Sequence, residues 1–173
     1  MQILPAELPA GGECFHGTLS VDFDRVEGAR EVRAPCPVSF DVRAERAGGG
    51  VCVSGSLSAE LEVACVRCLG AFPHAVERNF EVRYRRTVAD GDSEEAELDE
   101  SDLDLDYYGD EGIDLQQLLG EQLLLSLPMK PLCQTECKGL CSQCGVNLND
   151  EVCDCAPEVD PRLASLGALR DQL

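Results

Sequence analysis

VSFDVRAERAGGGVCVSGSLSAELEV, residues 38–63, decides the fold. From Val38 to Arg46, the side chains of Val38, Phe40, Val42 and Ala44 point one way and those of Ser39, Asp41, Arg43 and Glu45 the other. A period of two is the mark of a strand with one face buried. Gly48, Gly49 and Gly50 make a turn, and the alternation resumes. Val51, Val53, Leu57, Ala59, Leu61 and Val63 face in, with Ser54, Ser56, Ser58, Glu60 and Glu62 outward. Two alternating runs around a glycine turn predict a β-hairpin.

The pattern extends both ways. Upstream, TLSVDF (18–23) places Leu19, Val21 and Phe23 on one face and predicts another strand. Downstream, ACVRCLG (64–70) leads into a run over 76–88, with Val76, Phe80, Val82 and Tyr84 opposite Glu77, Asn79, Glu81, Arg83 and Arg85. Cys65 and Cys68 therefore sit at the tip joining two antiparallel strands. A CxxC pair needs such a reversing turn if both sulfurs are to reach one ion.

From Asp90 to Asp114 there are thirteen acidic residues and no Lys or Arg. They carry most of the formal charge of -19, leaving -6 for the rest. DGDSEEAELDE (90–100) has no apolar period and reads as a solvated loop, while Leu103, Leu105 and Tyr107 alternate with acids and allow a short edge strand. One helix follows. Asp114 is its N-cap, Gln117 holds the reciprocal capping-box position, and Ile113 and Leu118 have staple spacing. Leu115, Leu118, Leu119 and Leu123 give it an apolar face, and Pro128 stops it. The expected fold class is α+β: an antiparallel sheet or meander covered by one main Leu-rich helix, with a C-terminal cysteine-rich zinc-binding segment. The expected division is a sheet-plus-helix domain over 1–131, with an acidic loop near 90–112, and a cysteine-rich tail over 132–173 that ends in a short helix near 160–166.

The tail is the densest chemistry in the chain. Six of eleven cysteines fall within CQTECKGLCSQCGVNLNDEVCDC (133–155). A disulfide framework needs an oxidising compartment. MQILPAELPAGG (1–12) lacks a charged region followed by an apolar one, so it is not read as a secretory signal, and the reducing cytosol is the expected compartment. No apolar run is long enough to span a membrane. Eight cysteines form pairs: 65/68, 133/137, 141/144 and 153/155. Four thiolates make one closed zinc site, so eight allow two structural ions. One division joins Cys141 and Cys144 to Cys153 and Cys155, and Cys65 and Cys68 to Cys133 and Cys137. A rival puts Cys133, Cys137, Cys141 and Cys144 on a single ion. Cys14, Cys36 and Cys52 have no partner spacing.

CVRCL (65–69), the helix leading into LPMKPLC (127–133), and CKGLCSQCGVNLN with CDC (137–155) together resemble the YceD family, named for large ribosomal RNA subunit accumulation. The resemblance runs from about residue 15 to about 165. It implies a bacterial or plastid protein needed for normal accumulation of 23S rRNA, and no particular molecular activity.

Three functions compete on these residues. The first is a non-enzymatic factor for large-subunit assembly that binds the subunit precursor, through rRNA or through a basic ribosomal protein. Arg67, Arg83, Arg85 and Arg86, with Arg43, offer a basic surface for phosphate, unless they pair with Glu77, Glu81 and the acidic loop. The acidic loop suits a basic protein, and a field of this sign opposes non-specific nucleic-acid binding. The second is a zinc-dependent thiol redox or metal-responsive regulator, against which the acidic surroundings of the thiols weigh. The third is an enzyme. His16 and His74 are the two histidines, in unrelated contexts, and neither a nucleophile triad, a phosphate loop nor HExxH is present. No catalysis and no small-molecule substrate are expected.

Overall fold

The computed structural model describes residues 1–26, 32–87 and 105–155. Its centre is the hairpin just quoted. β4 (Val38–Ala47) and β5 (Gly50–Ala64) pair antiparallel, with Phe40 opposite Leu57 and Ala44 opposite Val53. Val38, Val42, Ala44 and Val53 are fully buried, and the outward residues of β4 are exposed. β6 (Ala71–Arg86) runs antiparallel along the far side of β5, with Val53 opposite Val82 and Val63 opposite Phe72.

β6 begins earlier than its alternation predicts and contains Pro73. Strands tolerate a missing N–H at an open edge. Pro73 lies where β5 is the partner of β6 on one side and β7 (Leu105–Tyr108) does not reach, since β7 pairs only with Arg83 to Arg86. β7 runs parallel to β6, so the sheet is mixed where an antiparallel one was expected. The other edge is β2 (Glu13–Leu19), antiparallel to β4. It starts before the predicted TLSVDF and stops at Leu19. Phe23 instead opens a 3-10 turn, Phe23–Arg25, whose cap Asp22 accepts from the Asp24 N–H at 3.1 Å. The sheet order is β2-β4-β5-β6-β7, with β3 (Val32–Arg33) also on β5. β1 (Gln2–Ile3) and β8 (Ile113–Asp114) form a separate two-stranded ribbon.

The helix α1 spans Leu115–Ser126. The Asp114 carboxylate accepts from the Gln116 N–H at 2.9 Å. Gln117 does not return the capping-box bond: its amide reaches Glu121, one turn on, at 2.9 Å. The buried Leu115, Leu118, Leu119 and Leu123 belong to the same core cluster as Val42, Val53, Leu61 and Phe80 of the sheet. Arg78 breaks the inward row of β6, and its Nε is buried with no hydrogen-bond partner. The first part of the acidic loop and the expected helix near 160–166 lie outside the described residues. No helix among the described residues is long and apolar enough to cross a membrane.

Candidate metal centres

The β5–β6 junction is a tight knuckle. The Cys65 N–H donates to the Gly70 carbonyl at 2.9 Å, and the Leu69 N–H returns to the Cys65 carbonyl at 2.9 Å. The Arg67 N–H points at Cys65 Sγ, 3.5 Å away. The same construction recurs 76 residues later in the chain, at Cys141. The Cys141 N–H donates to Val146 at 2.8 Å, the Gly145 N–H returns to Cys141 at 2.9 Å, and the Gln143 N–H lies 3.5 Å from Cys141 Sγ. Leu69 (φ +58°) and Gly145 (φ +75°) occupy the same place in the two knuckles.

Each knuckle supplies half of a four-sulfur group. Cys65, Cys68, Cys133 and Cys137 form one, and Cys141, Cys144, Cys153 and Cys155 the other, with all sulfurs of a group within 4.8 Å of one another. Cys133 and Cys137 thus stand with the sheet knuckle and not with Cys141 and Cys144. Cys14 and Cys36 are exposed and belong to neither group, nor does Cys52.

The distances test what the groups can hold. Zinc–thiolate bonds of about 2.3 Å in a tetrahedron put the sulfurs about 3.8 Å apart. Cys65 and Cys137 are 3.8 Å apart and Cys68 and Cys133 3.7 Å. A disulfide would bring two sulfurs to about 2.05 Å. Both groups could therefore hold a metal ion, and thiolate donors with no histidine or carboxylate among them suit a soft or borderline ion.

The electrostatics favour thiolates at chosen positions. The Cys68 N–H, outweighing burial, draws the Cys65 pKa down to about 6. The Cys144 and Gln143 N–H groups draw Cys141 down to about 6. Burial pushes Cys133 up to about 12, and the Cys144 thiol does the same to Cys155. For Cys137 burial works upward, but the Asn149 amide and the Gly139 N–H hold its pKa below the usual value. Four thiols this close repel one another once ionised, and a bound cation would relieve that.

Asn149 is a site residue that sequence reading missed. Its Nδ2 lies 3.3 Å from Cys137 Sγ, and its Oδ1 accepts from the Lys138 N–H at 2.8 Å and from Gln134 at 3.1 Å. Nothing in VNLND (146–150) sets Asn149 apart from Asn147, because the loop's return onto Cys137 is tertiary.

The arginines do not share one surface. Arg83 and Arg85 lie on the outer face of the sheet, beside Leu105 and the half-exposed Tyr107. Arg83 pairs with Glu81 at 3.2 Å, and Arg43 with Glu45 at 3.2 Å. Arg86 points to the opposite side of β6 and bonds Asp110 at 2.6 Å. Arg67 lies at the knuckle, where its Nη1 donates to the Cys137 carbonyl at 2.7 Å.

The family model described as large ribosomal RNA subunit accumulation protein YceD matches residues 53–170. The chain belongs to the YceD family. An uncharacterized protein of Mycobacterium tuberculosis (strain ATCC 25618 / H37Rv) is 36% identical over 129 residues, 75% of this chain and 60% of the relative. The uncharacterized protein YlbN of Bacillus subtilis (strain 168) is 29% identical over 146 residues, 82% of this chain and 79% of the relative. The chloroplastic large ribosomal RNA subunit accumulation protein YCED homolog 1 of Zea mays is 27% identical over 148 residues, covering 72% and 50%. The chain spans about three fifths of the length of the mycobacterial relatives it matches. No solved structure matches. The family match takes in both knuckles and all eight grouped cysteines.

Proposed function

We propose that this YceD-family protein is a non-enzymatic factor for large ribosomal subunit assembly, supporting 23S rRNA accumulation by binding a component of the subunit precursor. Family membership carries the reading, together with the names of its plant relatives. In this reading both cysteine groups hold structural Zn2+. Their four-thiolate sets leave no open position for a reacting water, which fits a binding role rather than catalysis. Residues 1–131 make the body and 132–173 a metal-stapled tail, working in the cytosol.

Charge favours a basic ribosomal protein over rRNA as the direct contact. On the outer face Arg43 and Arg83 already engage Glu45 and Glu81, so a phosphate has to displace a carboxylate to reach them. Among the described residues, stacking surface for bare bases is scarce there, with Tyr107 at one edge. The test is co-sedimentation of tagged protein with ribosomal precursors, followed by crosslinking. Crosslinks to a basic ribosomal protein, lost on deleting 92–100, are expected. Direct rRNA crosslinks that weaken steeply with salt and with Arg83→Glu plus Arg85→Glu would replace the protein contact by an RNA one.

One observation favours a second reading, a thiol redox regulator: backbone N–H groups point at the Cys65 and Cys141 sulfurs, at 3.5 Å each, and favour their thiolates. Low-pKa thiolates are reactive when bare and inert when ligated. The assembly reading expects the metal-loaded protein to resist mild alkylation. Rapid modification at Cys141 with metal bound would favour the regulator.

A further inference from the structure

The two cysteine groups are built into each other, and this has a consequence for how they fill. Cys137 belongs to the first group, yet one donor to its sulfur, Asn149, comes from the loop of the second. Asn149 lies between Cys144 and Cys153, inside the loop that the second group closes. Its amide nitrogen lies 3.3 Å from Cys137 Sγ, and its Oδ1 takes the Lys138 N–H at 2.8 Å. Asn147 fixes the amide's orientation, its Oδ1 accepting from Asn149 Nδ2 at 2.7 Å and from the Asn149 N–H at 3.1 Å. The backbone binds the same two parts. The Leu148 N–H donates to Gly139 at 2.9 Å, and the Leu140 N–H donates to the Arg67 carbonyl, on the first knuckle, at 3.2 Å. Gly139 fits there because a Cβ would stand 3.0 Å from that carbonyl.

We propose that the two groups bind metal cooperatively, with Asn149 as the positioning residue that links the second group to Cys137 of the first. The inference rests on the reading that both groups hold metal. Closing Cys144 and Cys153 onto an ion fixes the intervening loop. Asn149 is then held at Cys137, where an N–H donor stabilises a thiolate committed to a metal. In the other direction, an ion on the first group fixes Cys137, Lys138 and Gly139, which are the docking points of that loop. Linkage requires the two effects to be equal. Asn149 makes no hydrogen bond to a sulfur of the second group, so it acts on the first group, through Cys137 and the neighbouring Lys138 and Gln134.

The experiment is a Co2+ titration of the full chain against a competing chelator, read by the thiolate-to-cobalt absorption. Cys144→Ser plus Cys153→Ser leaves the first group alone, and Cys65→Ser plus Cys68→Ser leaves the second. The unaltered chain should bind two Co2+, with a product of affinities about 10-fold to 100-fold above that of the two isolated groups. Asn149→Ala should bring that product down towards the isolated value. In the chain with only the first group, the same change should leave Co2+ affinity as it was. Asn149→Ala removes no ligand, so it answers the question even where a cysteine variant does not fold: the loss of coupling then appears as a shallower isotherm. Two Co2+ bound with affinities equal to those of the isolated groups, or an isotherm that Asn149→Ala does not alter, overturns the coupling. Binding of one Co2+ or none overturns the two-metal reading itself.

Discussion

Leu69 holds φ +58°, the one left-handed conformation among the described residues that is not a glycine's. Its counterpart in the second knuckle is Gly145. A left-handed conformation costs an L-residue about 1–2 kcal/mol, and glycine's extra freedom in the unfolded chain takes back about 0.5–1 kcal/mol. Leu69 is 67% exposed, so little packing is lost on removing its side chain. Leu69→Gly should therefore raise stability by up to about 1 kcal/mol, measured by chemical denaturation at fixed free metal, while Leu69→Ala should give no gain. A neutral or destabilised Leu69→Gly would mean that the exposed leucine makes a contact worth as much as the strain. The sequence reveals the knuckles by their cysteines and Gly145, but a leucine carries no sign of a positive φ. Tyr84 is a second case that only packing reveals. Burial first, then the Asp106 and Glu121 carboxylates, raise its pKa above the ordinary phenol value. The folded state then holds the proton longer than the unfolded state. That contribution is intact below the unfolded value of about 10 and is lost as pH rises beyond it. Tyr84→Phe should flatten the alkaline decline in stability, and parallel curves for the two proteins would contradict this.

Among the elements, β5 is the central strand of the large sheet. It pairs with β4 and β3 on one side and β6 on the other, along nearly all of its length. Gly55 in its middle lets β4 come close. A Cβ there would stand 2.2 Å from the Asp41 carbonyl oxygen and 2.7 Å from Val42 Cα, both backbone atoms that cannot rotate away. Gly55→Ala should cost about 2–3 kcal/mol, as overpacking of a rigid site does. A change below about 0.5 kcal/mol would show that the strands separate at little cost. Alternation made β4, β5 and most of β6 legible, because each buries one face along many residues. It left out β1, β3 and β8, which are two residues long and have no period to detect. The parallel sense of β7 was also hidden. Four residues with an alternating pattern look the same in either direction, and only the partner sets the sense.

At the scale of the whole molecule, the first cysteine group joins the β5–β6 turn to a segment that follows α1. Cys68 and Cys133 are 65 residues apart in sequence and 3.7 Å apart in space. The pairing of cysteines by spacing was legible; which pairs share a group was not, because two divisions satisfy the same stoichiometry. The fold decides between them by bringing the Pro131 carbonyl onto the Val66 N–H at 3.0 Å, which lays the start of the tail along the first knuckle. In the unfolded chain these sulfurs are not gathered, so metal affinity becomes folding free energy. An ion that binds only the folded state adds about 1.4 kcal/mol of stability for each tenfold rise in free metal above its dissociation constant. If both groups hold Zn2+, as proposed above, two ions released in one cooperative unfolding should give a slope near 2.8 kcal/mol per decade of free Zn2+, which denaturation in zinc buffers would measure. A slope near 1.4 kcal/mol would mean that one group stays loaded or opens separately from the sheet. Cys65→Ser then tells which, since it disables the group tied to the sheet. If that group is the one coupled to global unfolding, the variant's residual slope vanishes; if the tail's own group is, the slope persists.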